Sequence, residues 1–419
     1  MTGFTHIWKK SRSRPMPPIV WALFTGTALN GFSTSIVTPF ISVYLYAYEG
    51  SPVALIGLVV FLQTIANAVM QLAGGELCDR FGRKPVFMAG LAGVSMSFTG
   101  LAVGVAYNAS FEYFLALLVL SGISSGLFST APSAVLADEV GEEQRAEAYS
   151  TLRTGYNLGY SIGPVIGGIA ASVSYTLAFS LTAMASAAYL VIVTLYVRER
   201  NHGATPYSDD RSQHGSLLED RPFILLLVLA FLAALVAAHM YSPLSVYAKG
   251  IAGLSEKEIG AFFSLNGLMV VFLQFPVTRV SGRIRLTTSM ALGMGLYAVG
   301  LALIAVQGGF EWLMLCVAVM TFGELLYLPS LTTLTANMSL EHRRGRYFGL
   351  VGLTGSAGFG VGALLGGWLL GLFWESSGAF WLIAAMISLV CGASFWYLGV
   401  MTRPKTGVDG RAPSLWKGV

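Results

Sequence analysis

Glu324 sits in the run Thr321-Phe322-Gly323-Glu324-Leu325-Leu326, an acid with apolar residues on both sides. Counted from Phe310 at about 1.5 Å per helical residue, it lies ~20 Å along its segment. A carboxyl at that depth in hydrocarbon is neutral or charged according to whether water reaches it, because desolvation penalises the charged form alone. A proton carrier needs that property. An acid inside a membrane segment is a functional hypothesis by default. The plainer alternative is a neutral acid hydrogen-bonded to a neighbouring helix. No other acid lies as deep in an apolar segment of this chain.

Other polar residues in apolar surroundings carry less specific signals. His239, in the outer half of the seventh segment, can bind cargo, relay protons, or pack as a hydrogen-bonded core histidine. Asn30, with Ser33, Thr34 and Thr38, makes the first segment polar on more than one face, and helix–helix hydrogen bonding explains part of that. Arg153 lies about two turns inside the fifth segment. Unpaired at the bilayer centre it would cost ~2.5–3.5 kcal/mol. It therefore snorkels to the interface, pairs with Asp138, or serves coupling or the binding of an anionic group. The cysteines Cys78, Cys316 and Cys391 show neither a disulfide framework nor metal-ligand spacing. There is no His/Asp cluster or nucleophile elbow, and no Walker-type phosphate loop. Those absences argue against an enzyme and against ATP as driving force, and no metal or cofactor is expected.

The elements that must position these residues follow from composition. Of 419 residues 55% are hydrophobic and only 11% charged, against about 25% charged in a soluble domain. The surrounding medium is therefore mostly lipid. Roughly 20 apolar residues cross the hydrocarbon core, which places spans near 19–46, 54–77, 86–107, 112–136, 146–173, 176–197, 222–248, 258–279, 287–306, 311–336, 346–373 and 379–400. The basic N-terminus precedes a run too long and too polar for a signal peptide, so that run is expected to be the first span. Gly50-Ser51-Pro52 is a turn. The one long polar connection, 198–221, separates an expected bundle at 1–197 from another at 222–419. With both termini and the even-to-odd loops in the cytoplasm, that side holds 22 of the 25 Lys and Arg, leaving Lys249 and Lys257 opposite and Arg153 within a span. The positive-inside rule selects this orientation.

An internal repeat supports two halves. Arg145 to Gly168 aligns with Arg344 to Gly367, so Gly159, Gly163, Gly167 and Gly168 fall on Gly358, Gly362, Gly366 and Gly367. Gly82-Arg83 likewise falls on Gly282-Arg283. Between the second and third spans stands Gly75-Glu76-Leu77-Cys78-Asp79-Arg80-Phe81-Gly82-Arg83-Lys84. Gly82 permits a tight turn, Gly75 permits close helix approach, Asp79 suits a helix N-terminus, and Arg83 can bridge to a carboxylate such as Asp138. The bland alternative is that these charges only set topology.

This loop resembles the signature loop of the major facilitator superfamily, with Cys78 a mild departure. The fifth span, with Gly159, Gly163, Pro164, Gly167 and Gly168, is similar to the glycine-proline motif of that family's drug–proton antiporter branch, although Ser150 stands where the longer pattern has glycine. Simple close packing explains the same residues. Leu118 occupies the place of the branch's usual fourth-span arginine.

The resemblance implies an all-α membrane protein, twelve spans in two pseudo-symmetric six-helix bundles, working by alternating access. It implies a gating network of Gly75, Asp79, Arg80, Gly82, Arg83, Lys84, Asp138 and Arg145, and a central cavity with Asn30, Thr34, His239 and Glu324 as candidate lining. It implies proton coupling through Glu324, the proton gradient being the energy source. The expected cargo is a small amphipathic or lipophilic compound, exported in the manner of multidrug efflux from the cytoplasmic membrane. Expected partners are that small molecule, protons and the lipid bilayer, with no nucleic acid and a monomeric state. Import of a sugar or metabolite, and a receptor or scaffold without transport, are the alternatives.

Overall fold

The computed structural model describes residues 16–198, 221–339 and 344–401. The expected connection at 198–221 lies outside the described residues except at its ends. Every regular element described is helical. The first bundle comprises α1 (Pro18–Ala47), α2 (Val53–Phe81), α3 (Arg83–Ala106), α4 (Phe111–Phe128), α5 (Ala131–Glu139), α6 (Glu142–Val173) and α7 (Tyr175–Tyr196). The second comprises α8 (Arg221–Ala238), α9 (Ser242–Gly250), α10 (Glu256–Ser281), α11 (Leu286–Ile304), α12 (Phe310–Met338), α13 (Arg344–Leu372) and α14 (Ser377–Met401).

Among the described residues, eleven spans are long and apolar enough to cross a bilayer. The remaining long helix, α6, is 32 residues. It opens with Glu142, Glu143, Gln144 and Arg145 and continues with Tyr, Asn, Ser and Gly residues, which makes it less apolar than the others. Phe272, Phe275, Met96 and Leu195 are each more than 70% exposed, a state that apolar side chains of this size tolerate in lipid and not in water. The chain is a multi-pass membrane protein.

Two spans are broken where the sequence reading has single helices. The fourth is α4 and α5, joined at Ser129–Thr130 with Pro132 at the start of α5. The seventh is α8 and α9, joined at residues 239–241 with Pro243 at the start of α9. Proline lacks the N–H that would continue the upstream helix but suits a first turn.

The bundles pack alike. α1 lies against α6 and α7, as α8 lies against α13 and α14. α3 lies against α4 and α7, as α11 lies against α12 and α14. Across the interface α2 meets α13 and α6 meets α10. The glycine repeat explains both layers. A methyl group at Gly167 would come within 2.4 Å of the Ile36 carbonyl oxygen on α1, and one at Gly362 within 2.3 Å of the Leu235 carbonyl oxygen on α8. Gly168 approaches Glu256 and Gly260 of α10, while Gly367 approaches Val53 and Gly57 of α2.

The interface touches at one end only. A methyl group at Gly57 would meet the Ala363 carbonyl oxygen at 2.5 Å, and one at Gly260 the Pro164 carbonyl oxygen at 2.5 Å. At the opposite end, methyl groups at Gly75 of α2 or at Gly349, Gly352 and Gly355 of α13 would meet nothing within 4 Å. The bundles are therefore closed at the end holding Tyr48 and Glu256, and parted at the end holding Arg83 and Asp138.

Candidate functional site

A cavity of about 210 Å³ lies between the bundles, mostly within the first. α1 presents Asn30, Thr34, Thr38 and Ile41 on one face, α2 adds Val60, Gln63 and Thr64, and α4 adds Ser121 and Ser125 one turn apart. α3 contributes Phe98. The second bundle reaches in with Tyr241 and Ser242, delivered by the break in the seventh span, and with Phe359 of α13. Gln63 Nε2 donates to Ser121 Oγ at 3.0 Å. No residue bearing a formal charge lines the cavity.

Glu324 stands at the middle of α12, half-buried. Asn266 Nδ2 of α10 donates to Glu324 Oε2 at 2.9 Å and to Thr321 Oγ1 at 3.0 Å. The carboxyl is close enough for electrostatic interaction with Tyr160, Tyr241 and Tyr297. Tyr160 belongs to the first bundle, so Glu324 faces the interface rather than acyl chains. Tyr160 and Tyr241 share a hydrogen bond, Tyr156 stacks on Tyr160 at 5.8 Å, and Tyr156 pairs with Thr34. Glu324 thus lies near Tyr241, a cavity residue, and Tyr241 leads through Tyr160 and the stacked Tyr156 ring to Thr34, another. Glu324 itself is not part of the cavity wall.

His239 is not part of it either. It is 3% exposed, its Nδ1 pairs with the Leu235 carbonyl oxygen at 2.9 Å, and its ring stacks on Phe380 at 5.5 Å. The turn at the end of α8 directs it towards α13 and α14, so of the expected lining only Asn30 and Thr34 are at the cavity. Arg153 is exposed and has no ion-pair partner among the described residues. Asp138 does not serve it, because Asp138 pairs with Arg83.

The signature loop ties together elements of one bundle. Gly82, at φ 92°, turns α2 into α3 in a region open cheaply to glycine. Arg83 bonds Asp138 and the Ala134 carbonyl oxygen. Arg145 Nη2 donates to the Ala137 carbonyl oxygen at 2.9 Å, and its Nε to that of Val140 at 3.2 Å. Two cations thus satisfy the free carbonyls at the end of α5, where the helix dipole favours positive charge. Lys84 Nζ bonds the Thr194 carbonyl oxygen at 2.8 Å, and Arg80 lies 5.4 Å from the Phe81 ring. The Asp79 side chain lies outside the described residues. None of these described contacts reaches the second bundle, which is parted from the first at this end.

The closed end holds a cluster the sequence reading missed. Glu256, 6% exposed, pairs with Lys249 at 2.7 Å. Tyr48 donates to the same carboxyl at 2.9 Å and Tyr175 at 3.4 Å. Tyr48 and Tyr175 belong to the first bundle, Lys249 and Glu256 to the second. Ser42 Oγ donates to Ser242 Oγ at 2.9 Å between the cluster and the cavity. The available signal was Ser255 followed three residues later by Glu258, a capping box that places Glu256 in the first turn of α10.

A family model described as Major Facilitator Superfamily matches residues 23–306 and 228–418. The "Uncharacterized MFS-type transporter YqjV" of Bacillus subtilis is 25% identical over 362 residues, covering 85% of this chain and 87% of that protein. "Multidrug resistance protein MdtH" of Citrobacter koseri is 23% identical over 339 residues, covering 80% and 82%. A solved POT family transporter superposes with a TM-score of 0.79 at 14% identity over 92% of this chain and 96% of its own, a likeness of fold. Matched from both halves, with the broken spans, paired glycine faces and interfacial cavity in place, the chain belongs to the Major Facilitator Superfamily and is a secondary transporter, not an enzyme.

Proposed function

We propose that the protein is a proton-coupled antiporter that exports a small amphipathic compound by alternating access, with 1–197 and 222–419 as the moving bodies and both termini in the cytoplasm. One observation carries this reading: Glu324, the acid at mid-span, lies near Tyr160 of the other bundle and near Tyr241, a residue of the cavity wall. With the Arg83 end in the cytoplasm, the parted end opens inward. Glu324 then releases its proton to the cytoplasm while cargo enters the cavity. Closure at the Arg83 end and opening at the Tyr48 end expose the acid to protons outside and discharge the cargo. Charge in a dry interface is costly, so the proton state of Glu324 biases which end is closed.

Support for efflux comes from the resemblance to a multidrug resistance protein, and support for a proton as coupling ion from the tyrosines near Glu324. Glu324→Gln, reconstituted in sealed vesicles, tests the coupling. Proton-driven transport should fail while exchange without a gradient persists; undiminished proton-driven transport removes Glu324 from the mechanism. The polar cavity favours one second reading, a proton-coupled importer of a neutral metabolite. Vesicles of known orientation decide it by the direction in which cargo accumulates.

A further inference from the structure

We infer that the cargo is a small, uncharged solute bearing several hydroxyl or amide groups together with apolar surface. The inference rests on the proposed transport reading and names the substrate class of its cavity.

Three features carry it. The first is charge. No Asp, Glu, Lys, Arg or His lines the wall, and the nearby carboxyl of Glu324 is engaged by Asn266 behind Tyr241. A net charge entering this space would leave water without a counter-charge at the wall, which is strongly unfavourable.

The second is the pattern of hydrogen-bonding groups. Asn30 and Ser125 have no hydrogen-bond partner among the described residues, although both line the cavity. Gln63 spends its amide N–H on Ser121 and keeps its carbonyl oxygen free. The unspent groups therefore include donors and acceptors side by side. A carboxylate only accepts and an ammonium only donates, whereas a hydroxyl or amide does both. Val37, Ile41, Val60, Val94, Phe98 and Phe359 supply the apolar part of the wall.

The third is size. The cavity of about 210 Å³ lies below the ~300–1,000 Å³ typical of sites for drug-sized ligands. A solute with the bulk of a single sugar ring or cyclitol fits that space better than a multi-ring drug.

Thermal unfolding of the purified full-length protein, at one pH and with no gradient, tests the assignment. The neutral probes are D-glucose, myo-inositol and N-acetylglucosamine; the charged probes are tetraphenylphosphonium and glutamate. At least one neutral probe should raise the unfolding temperature saturably, and the charged probes should not. Asn30→Ala and Ser125→Ala leave no protein group without its partner, so each should fold normally. Each should shift the neutral probe's dose curve by about three- to tenfold, the worth of one hydrogen bond. Three results overturn the proposal: a charged probe that stabilises when no neutral one does, no stabilisation by any neutral probe at tens of millimolar, or neutral-probe stabilisation unchanged in both variants. Binding read this way needs no proton gradient, so its failure and failure of the Glu324 coupling test are separate outcomes.

Discussion

In the first bundle α6 sets Gly159, Gly163 and Gly167 against α1; in the second α13 sets Gly358 and Gly362 against α8, and Gly366 against His239 and Pro243 just beyond it. Backbone packing is thus repeated almost residue for residue. Polar chemistry is not. Asn30, Thr34, Thr38, Gln63, Ser121 and Ser125 all line the cavity from the first bundle, while Glu324 and its partner Asn266 belong to the second. The duplicated helices keep the scaffold's symmetry because small residues at the contacts cannot change without a clash. Side chains facing the interface are free of that constraint. In the proposed reading they have separated into a cargo-recognising side and a proton-carrying side, with Tyr160 and Tyr241 between them.

Glu324→Gln should break this division most severely. We expect proton-driven transport to fall by about 100-fold or more, the scale on which loss of a proton-transferring group acts. Cargo binding to the first bundle should stay within about twofold, as for a substitution that leaves the wall's hydrogen bonds untouched. Equal loss of both in reconstituted vesicles would mean that the two sides are one site.

Lys249→Met tests the closed end. It leaves Glu256 buried with hydrogen-bond donors but without a counter-charge. Removing one member of a buried ion pair costs up to ~3–5 kcal/mol, and the partial exposure of Lys249 reduces that here. A shift of about 1.4 kcal/mol already changes a two-state ratio tenfold. Spin labels at Tyr107→Cys and Val306→Cys, exposed positions near this end on different bundles, should move apart in a larger fraction of molecules. The native cysteines are buried and leave labelling to the introduced ones. An unchanged distance distribution would reduce the cluster to packing.

Asn266→Ala should weaken coupling by about three- to tenfold, because one hydrogen bond to the Glu324 carboxyl is lost. The same variant should leave neutral-probe binding alone. Loss of binding without loss of coupling would reverse the assignment of roles.

The scaffold was far more legible in the sequence than this division. Spans, the glycine repeat and the signature loop are local patterns, and the structure places Glu324 at mid-helix as counting from Phe310 predicts. Pro132 and Pro243 marked the broken spans, yet both occur in apolar runs that continue past them, so the breaks were missed. Tyr241 gained its importance from one of those breaks. Tyr160, Asn266 and Gln63 look like ordinary polar residues until helix rotation decides which of them meet. His239 was misplaced for the same reason: depth in a span is countable from sequence, but the face it occupies is not. Lys249 entered only the charge count and Glu256 was not singled out, because the tyrosines that complete their cluster, Tyr48 and Tyr175, lie in the other bundle.

Gly260→Ala and Gly75→Ala compare the touching and parted ends with a smaller expected effect. The first places a methyl group 2.5 Å from the Pro164 carbonyl oxygen and should destabilise this conformation by ~1–3 kcal/mol, the usual cost of overpacking. The second meets nothing within 4 Å here and should be neutral or stabilising by up to ~1 kcal/mol, since alanine is the better helix former. If Gly75 permits closure at the Arg83 end in the opposite conformation, Gly75→Ala should slow transport while sparing thermal stability. Equal thermal effects would contradict the one-ended closure.

Arg153→Gln should have the smallest effect of all. The side chain is exposed on α6 and has no ion-pair partner among the described residues, while Asp138 is held by Arg83. Replacing a cation in such a place normally changes stability by no more than about ±0.5 kcal/mol. Its charge is then a matter of seating the Arg83 end of α6 at the membrane surface, where a long basic side chain reaches water. Transport and unfolding temperature should both match the unsubstituted protein. A large loss of transport at normal stability would instead make Arg153 a second ionisable participant, on the bundle otherwise free of one near the cavity, and the separation of cargo and proton between the bundles would no longer hold.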